Sequence, residues 1–396
     1  MKENWEYKRL GEVCCSKSAI ERATKIFESN SEILYIDITS IDNQTNCISS
    51  YTRTLMSKAP SRAQQCVKKK DVLVSLVRPN LKNVAMLDED ENNFVASSGF
   101  CILRSGEKIL PKFIFKFVCS ETFTDYLVGL TAGANYPAVR EDDVRNALIP
   151  IPPLDEQEQI VAELDLLSDV IDKQKAELKE LDNLAQSTFY DMFGDPIENP
   201  KGWDVQPLKN LTTKIGSGAT PKGGKESYKL EGIPLIRSLN VYNGMFKYKD
   251  LAYIDTEQAS ALDNVILQHG DVLLNITGAS VARCCIVPSE LVSGRVNQHV
   301  AILRPRESLK YVFLCAQLIS SGFQHKLLHD SKANGATREA LTKPQLESMP
   351  IIVPPLSLQQ EFADKIASIE KQKTALTQSI AESQKLLDYT MDKYFG

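Results

Sequence analysis

Long hydrophobic runs are absent from this 396-residue sequence. No apolar stretch approaches the roughly 20 residues that span a bilayer, and Met1-Lys2-Glu3-Asn4-Trp5 has no apolar signal core, so the cytoplasm is the expected compartment. A surplus of basic charge is absent too. The 46 Lys and Arg face 51 Asp and Glu, a formal charge of -5, which excludes a uniformly basic nucleic-acid coat. No C-x-x-C occurs among the nine cysteines, and an odd number with the adjacent pairs Cys14-Cys15 and Cys284-Cys285 fits neither a disulfide framework nor a thiolate zinc site. They read as reduced, mostly buried thiols. What is present is hydrophobicity throughout: 43% hydrophobic residues supply cores for two or three domains and exclude a disordered chain.

Catalytic constellations are also missing. Gly216-Ser217-Gly218-Ala219-Thr220-Pro221 opens like a dinucleotide loop but has Pro221 at the third glycine position. Lys225 lacks the upstream glycine and the following Ser or Thr of a phosphate-binding P-loop. His325 and His329 are four apart, yet no glutamate follows His325 and no third ligand is evident, so no metal is expected. Gly129-Leu130-Thr131-Ala132-Gly133 carries Thr131 where a nucleophile elbow needs Ser. Asp195-Pro196-Ile197-Glu198 lacks the second proline and the aromatic of an amino-methyltransferase motif. The chain by itself is expected to be no enzyme and to hold no cofactor.

The halves of the sequence repeat one plan at offsets near 200. Trp5, Leu10 and Val13 reappear as Trp203, Leu208 and Leu211. Ile36, Asp71-Val72-Leu73-Val74 and Ile102-Leu103-Arg104 return as Ile236, Asp271-Val272-Leu273-Leu274 and Ile302-Leu303-Arg304. Pro152-Pro153-Leu154 and Phe193-Gly194 return as Pro354-Pro355-Leu356 and Phe395-Gly396. Each half reads as a sheet-containing region, 1–150 and 195–350, followed by a long helix, 151–194 and 351–396. Short β-branched runs separated by Gly, Asn and Pro (Asp71 to Val77, Asp271 to Ile276, Val300 to Leu303) predict the strands.

After each Pro-Pro-Leu, Asp155 with Glu158 and Ser357 with Gln360 have capping-box spacing. Counting alternately four and three gives Ile160, Leu164, Leu167, Ile171, Gln174, Leu178 and Leu181 in one helix. The same count gives Phe362, Ile366, Ile369, Lys373, Leu376, Ile380, Ser383 and Leu387 in the other. These narrow heptad seams predict that the helices pair. The chain must return through a domain between them, so pairing should be antiparallel, with Gln174 opposite Leu376 and Lys373 opposite Leu178. Charge follows the same division. Residues 1–150 carry 20 basic and 19 acidic groups and 201–350 carry 18 and 13, whereas 151–200 carry 3 and 13. The globular regions could meet a polyanion while the helices stay solvated or bind protein.

The remaining candidates are loops bearing Gly, Asn and Arg, groups that pair with base edges and phosphates. In the first half these are Arg78, Asn80 and Lys82, then Asn135, Tyr136 and Arg140. In the second they are Gly218, Thr220, Lys222, Lys225, Arg237, Ser280, Arg283, Asn297, Gln298 and Arg338. Taken singly each is an ordinary turn. In a duplicated and locally cationic setting they point to DNA.

Five segments resemble one family, the specificity subunits of type I restriction-modification enzymes. Pro152-Pro153-Leu154-Asp155-Glu156-Gln157, with Ile160-Val161 and a long helix, is similar to that family's first conserved region. Asp71 to Pro79, Ala96-Ser97-Ser98-Gly99-Phe100, Ser217 to Pro221 and Gly278 to Arg283 resemble segments of its target recognition domains. The second copy departs in Pro355-Leu356-Ser357-Leu358-Gln359, which has no acidic residue before the glutamine, and the first domain has no Gly-x-Thr-Pro loop.

The resemblance implies an α+β chain. Two homologous mixed α/β target recognition domains would be joined by two long antiparallel coiled-coil helices with pseudo-two-fold symmetry. Each domain would read one part of a split double-stranded DNA target, and a helical spacer of about 34 residues, roughly 50 Å, would hold the parts at a distance. The implied partners are methyltransferase subunits, two of them, and restriction/translocase subunits through the complex; methylation and cleavage would reside in those chains. The alternative is a non-DNA coiled-coil scaffold with duplicated protein-binding domains.

Overall fold

The computed structural model describes residues 5–131, 137–332 and 339–396. Contacts group the chain into two units, one made of residues up to Lys175 together with Gln378–Gly396, the other of Ala176–Thr377. Both long helices are therefore shared: helix α1 is Leu154–Phe193 and helix α2 is Leu356–Phe395, 40 residues each.

In the first unit the apolar run Val72–Ser75 is buried throughout and forms the centre of an antiparallel sheet between Phe100–Leu103 and Val84–Met86. Alternation along that strand feeds two cores. Val72 and Val74 pack with helix Pro111–Val118, with Ile160 and Leu164 of α1, and with Tyr394 and Phe395 of α2. Leu73 faces the other way, onto Leu34, Ile36 and Phe94 of a second sheet, in which Glu32–Ile36 and Phe94–Ser97 run parallel.

The second unit repeats this arrangement. Val272–Asn275 lies between Val300–Pro305 and Cys284–Ile286. Val272 and Leu274 pack with Phe313, Phe189, Phe193 and Phe362, while Leu273 joins Leu235, Ile236 and Val296 of a sheet in which Ile233–Ile236 and Arg295–Val296 run parallel.

Two buried polar devices recur at the repeat offset. Asp71, 1% exposed, takes a bidentate pair from Arg104 at 2.8 and 2.6 Å and accepts from Lys68 N at 2.8 Å. Asp271, 0% exposed, does the same with Arg304 at 2.7 and 2.9 Å and with Gln268 N at 2.8 Å. Each pair ties the turn before the central strand to the neighbouring strand, so its carboxylate is buried only with its hydrogen bonds met.

The second device is a glutamine. Gln157 is fully buried; it accepts from Leu110 N at 2.9 Å and donates to Lys108 O at 3.0 Å and Pro152 O at 2.8 Å. Gln359 accepts from Lys310 N at 2.9 Å and donates to Pro354 O at 2.8 Å and Ser308 O at 3.5 Å. Leu110 and Lys310 are the N-cap residues of helices Pro111–Val118 and Tyr311–Ile319, so the glutamines bolt those helices to the starts of α1 and α2. They correct the capping-box expectation. The long helices begin at Leu154 and Leu356, which places Asp155 and Ser357 inside the first turn rather than at the cap.

The helices pair antiparallel within each unit. In the first, Tyr394 of α2 donates to Glu163 of α1 at 2.5 Å. In the second, Phe362 of α2 lies on Phe189 and Phe193 of α1, with ring centroids 5.8 and 5.4 Å apart. Ile160, Leu164, Ile171, Phe362 and Ile369 are buried, and Leu167, Gln174, Leu178, Leu181, Ile366, Lys373, Leu376, Ile380 and Leu387 are half-buried.

The register differs from the expected one by about a layer. Gln174 donates to Ser379 at 2.8 Å, not beside Leu376, and Lys373 pairs with Asp182 at 2.8 Å rather than facing Leu178. The polar seam residues thus choose polar partners. Burial alone would pull the Lys373 ammonium down, but its bonds to Asp182 and Glu370 outweigh that and hold it above its ordinary value.

Candidate nucleic-acid interface

In each unit the central strand runs into a short 3-10 turn with left-handed residues at two matching positions. In the first, the turn is Pro79–Leu81, and Arg78 and Lys82 have φ of 51° and 50°. In the second it is Gly278–Ser280, and Gly278 and Ala282 have φ of 74° and 72°. A non-glycine residue at positive φ is strained, so the first unit holds two basic side chains in a costly conformation that the second gives to glycine and alanine.

A second segment is clipped beside each turn. Val77 bridges Ala138 and Arg78 N donates to Pro137 O at 2.7 Å, while Thr277 bridges Ala340 and Gly278 N donates to Glu339 O at 2.9 Å. The frame is duplicated and its side chains are not.

In the first unit this brings Arg78, Asn80 and Arg140 onto one neighbourhood of exposed side chains. Lys82 is half-buried and pairs with Glu121 at 2.5 Å. The backbone N of Arg140 donates to Asp143 at 2.7 Å, which fixes where its side chain leaves the chain. Asn135 and Tyr136 lie outside the described residues, as does Arg338 in the second unit.

In the second unit a polar relay joins two candidate loops. Thr220 donates to Gln298, Gln298 bonds His299 at 3.2 Å, and His299 Nδ1 meets Thr277 beside the Gly278–Ser280 turn. Gly218 N donates to Asn297 O at 3.1 Å, and a Cβ on Gly218 would fall 1.8 Å from Val296 O, so only glycine fits there. Lys222 and Lys225 are exposed on the following segment and Ser280 is half-buried in its turn.

Two candidates are placed as braces. Asn297 is 4% exposed and spends its amide oxygen on His299 N at 3.0 Å. Arg237 stacks 5.2 Å from the Tyr228 ring and donates to Asp250 O. Arg283 lies 4.5 Å over the ring of Tyr242, which also carries Lys247 at 3.8 Å. Sequence reasoning missed Tyr242 and Lys247, whose only signal is a Tyr-Asn-Gly hairpin followed by alternating lysines. Lys247, with smaller contributions from Arg283, holds the Tyr242 phenol below its ordinary value.

No group of three or more metal-ligating side chains occurs among the described residues, and His325 and His329 are exposed. No helix among them is long and apolar enough to cross a membrane. The arrangement offers cations, amides and hydroxyls on loops over rigid sheets, which is equipment for binding rather than for bond making.

The type I restriction modification DNA specificity domain model matches the chain twice, over residues 2–183 and 200–385. The MjaIX specificity subunit of Methanocaldococcus jannaschii is 21% identical over 379 residues, 91% of this chain and 85% of that one. The HindI specificity subunit of Haemophilus influenzae is 21% identical over 388 residues, 78% of this chain and 82% of that one. A solved chain, described as giving the structural basis of complex assembly and conformational transition of the type I R-M system, superposes with a TM-score of 0.67 at 29% identity, covering 100% of this chain and 98% of its own. With both halves matched and the frame duplicated, the chain belongs to the type I restriction-modification DNA specificity family, as a non-catalytic subunit that recognises DNA.

Proposed function

We propose that the chain reads a two-part, asymmetric double-stranded DNA target, one part with each unit. It thereby directs partner methyltransferase subunits, two of them, and through the complex a restriction/translocase subunit. One observation carries this reading: both units put a short 3-10 turn and two left-handed residues at matching positions after the central strand, yet Arg78, Asn80 and Lys82 stand where the other unit has Gly278, Ser280 and Ala282. Equal frames with unequal side chains suit two different base sequences, because groove readout depends on which donors and acceptors reach the base edges.

In this reading residues 1–150 and 195–350 are the recognition domains, and 151–194 and 351–396 form the helical spacer. The acidic α1 is left to protein partners and kept from the phosphates. Function in the cytoplasm, without a cofactor of its own, follows from the same reading. The test is binding of the chain with its partner subunits to a pool of mixed duplexes across a salt series. Affinity that falls steeply with salt, together with enrichment of one sequence class, supports a DNA reader. Absence of any duplex binding would support a protein scaffold instead.

A further inference from the structure

We infer that Lys247 and Arg283, set over the ring of Tyr242, form a phosphodiester clamp in the second unit that the first unit lacks. The inference rests on the reading of the chain as a DNA reader and names one element of its contact.

Three observations converge on it. First, the clamp is built on fixed backbone. Tyr242 and Met245 pair across the Asn243-Gly244 turn, Gly244 N donates to Cys284 O at 2.9 Å, and Asn243 accepts from Cys284 N at 3.1 Å. The hairpin is thus fastened to the residue next to Arg283. Asn240, 0% exposed, donates to the carbonyls of Lys247 and Lys249 at 2.9 and 3.2 Å, so the lysine-bearing strand is held as well.

Second, the cations are gathered without an acid. Lys247 Nζ is 3.8 Å and Arg283 Cζ 4.5 Å from the same ring centroid, and no carboxylate forms a salt bridge with either among the described residues. The Tyr242 ring attracts each cation but does not neutralise it, so two positive charges gathered without a carboxylate favour an anion beside them. A phosphodiester supplies one delocalised negative charge with two free oxygens, enough to meet an ammonium and a guanidinium together. Arg283 N also donates to Ser280 O at 3.3 Å, so the pair borders the Gly278–Ser280 turn already placed at the interface.

Third, the counterpart positions at the repeat offset, Asp42, Cys47 and Asn83, carry no cation. Asp42 stands for Tyr242 and the buried Asn83 for Arg283, and Asp42 accepts from Gln44 N at 2.9 Å. Amides take over the fastening there: Asn43 donates to Leu81 O at 3.0 Å and Asn46 to Lys82 O at 2.9 Å. An acid at this place repels a phosphate, so the clamp has no counterpart in the first unit.

The test uses the chain assembled with its partner subunits and compares wild type with Lys247→Gln, Arg283→Ala and the double variant. Affinity is read by fluorescence anisotropy on a target duplex and an unrelated duplex from about 50 to 200 mM salt. Lys247 is exposed, so Lys247→Gln leaves the fold intact, and thermal midpoints check Arg283→Ala. Each single variant should weaken both duplexes by the same factor and flatten the log–log salt slope by about 0.9, the double by about twice that. Wild-type binding with unchanged variants overturns the clamp and leaves the DNA reading standing. Loss of preference at one base position, with the unrelated duplex unaffected, overturns it in favour of a base contact. Failure of the wild-type complex to bind any duplex overturns the DNA reading itself.

Discussion

Replacing Gln157 by alanine should destabilise the first unit by about 3–5 kcal/mol, because three net hydrogen bonds at about 1 kcal/mol each are lost and buried partners are left unmet. Those partners are Leu110 N and the carbonyls of Lys108 and Pro152, around a side chain with no exposure. Gln359→Ala should cost less, about 2–3 kcal/mol, since its third contact, at 3.5 Å, is too long to contribute much. The two tryptophans allow the units to be read separately. Trp5 donates to Glu156, next to Gln157, at 3.1 Å, and Trp203 donates to Phe193 O at 2.8 Å in the second unit. Trp203→Phe leaves a reporter on the first unit and Trp5→Phe one on the second. Urea unfolding followed by fluorescence in those backgrounds gives each free energy. A loss below about 1 kcal/mol for Gln157→Ala on both reporters would refute the bolt, because one satisfied buried hydrogen bond already accounts for that much.

Arg78→Gly should keep or slightly raise stability, by up to about 1 kcal/mol, because glycine suits φ of 51° and its counterpart is Gly278; the same change should weaken or relax one half-site, as should Asn80→Ala and Arg140→Ala. Lys222→Ala should affect the other half-site, and unchanged affinity and preference in all four would show the loops are misassigned. A permutant opened between Ile197 and Glu198, with Gly396 linked towards Trp5, should fold and keep the methylation pattern. Trp5 already stacks on Tyr394 at 6.2 Å and the Asn199–Trp203 bonds survive the cut, so a lost or altered pattern would contradict this. Native maleimide labelling near neutral pH should find one fast thiol, the exposed Cys47; burial pushes Cys14 and Cys101 up to about 12 and Cys66 to about 11, and rapid labelling of these would contradict their burial.

The duplication was legible because strand, turn and helix-start residues recur at nearly one offset. The seams were legible because each four-three position from Ile160 and from Phe362 is sheltered in the pairing. The register is legible too once the seam ends are paired. With Ile160 opposite Tyr394, stepping inward layer by layer sets Gln174 against Ile380 and Lys373 against Leu181, one residue from their partners Ser379 and Asp182, so the expectation of Leu376 and Leu178 is a one-layer miscount. A linear reading could not show that each core takes the start of one long helix and the end of the other, as Ile160 and Phe395 do in the first unit. The candidate loops stood out by residue type, but their split into exposed groups and braces did not. Asn297 and Asn80 are the same amino acid, and only the fold buries one and exposes the other. Gln317, fully buried where the first unit has Phe117, is a further difference that no sequence period announces.

The most direct test of the central claim is the methylome of cells expressing this chain with its partner subunits, compared with cells that lack the chain. Two dissimilar base runs separated by a fixed unread spacer, methylated only when the chain is present, is the predicted result. A single contiguous motif, a palindrome with identical halves, or a pattern independent of the chain would contradict two units reading two different half-sites.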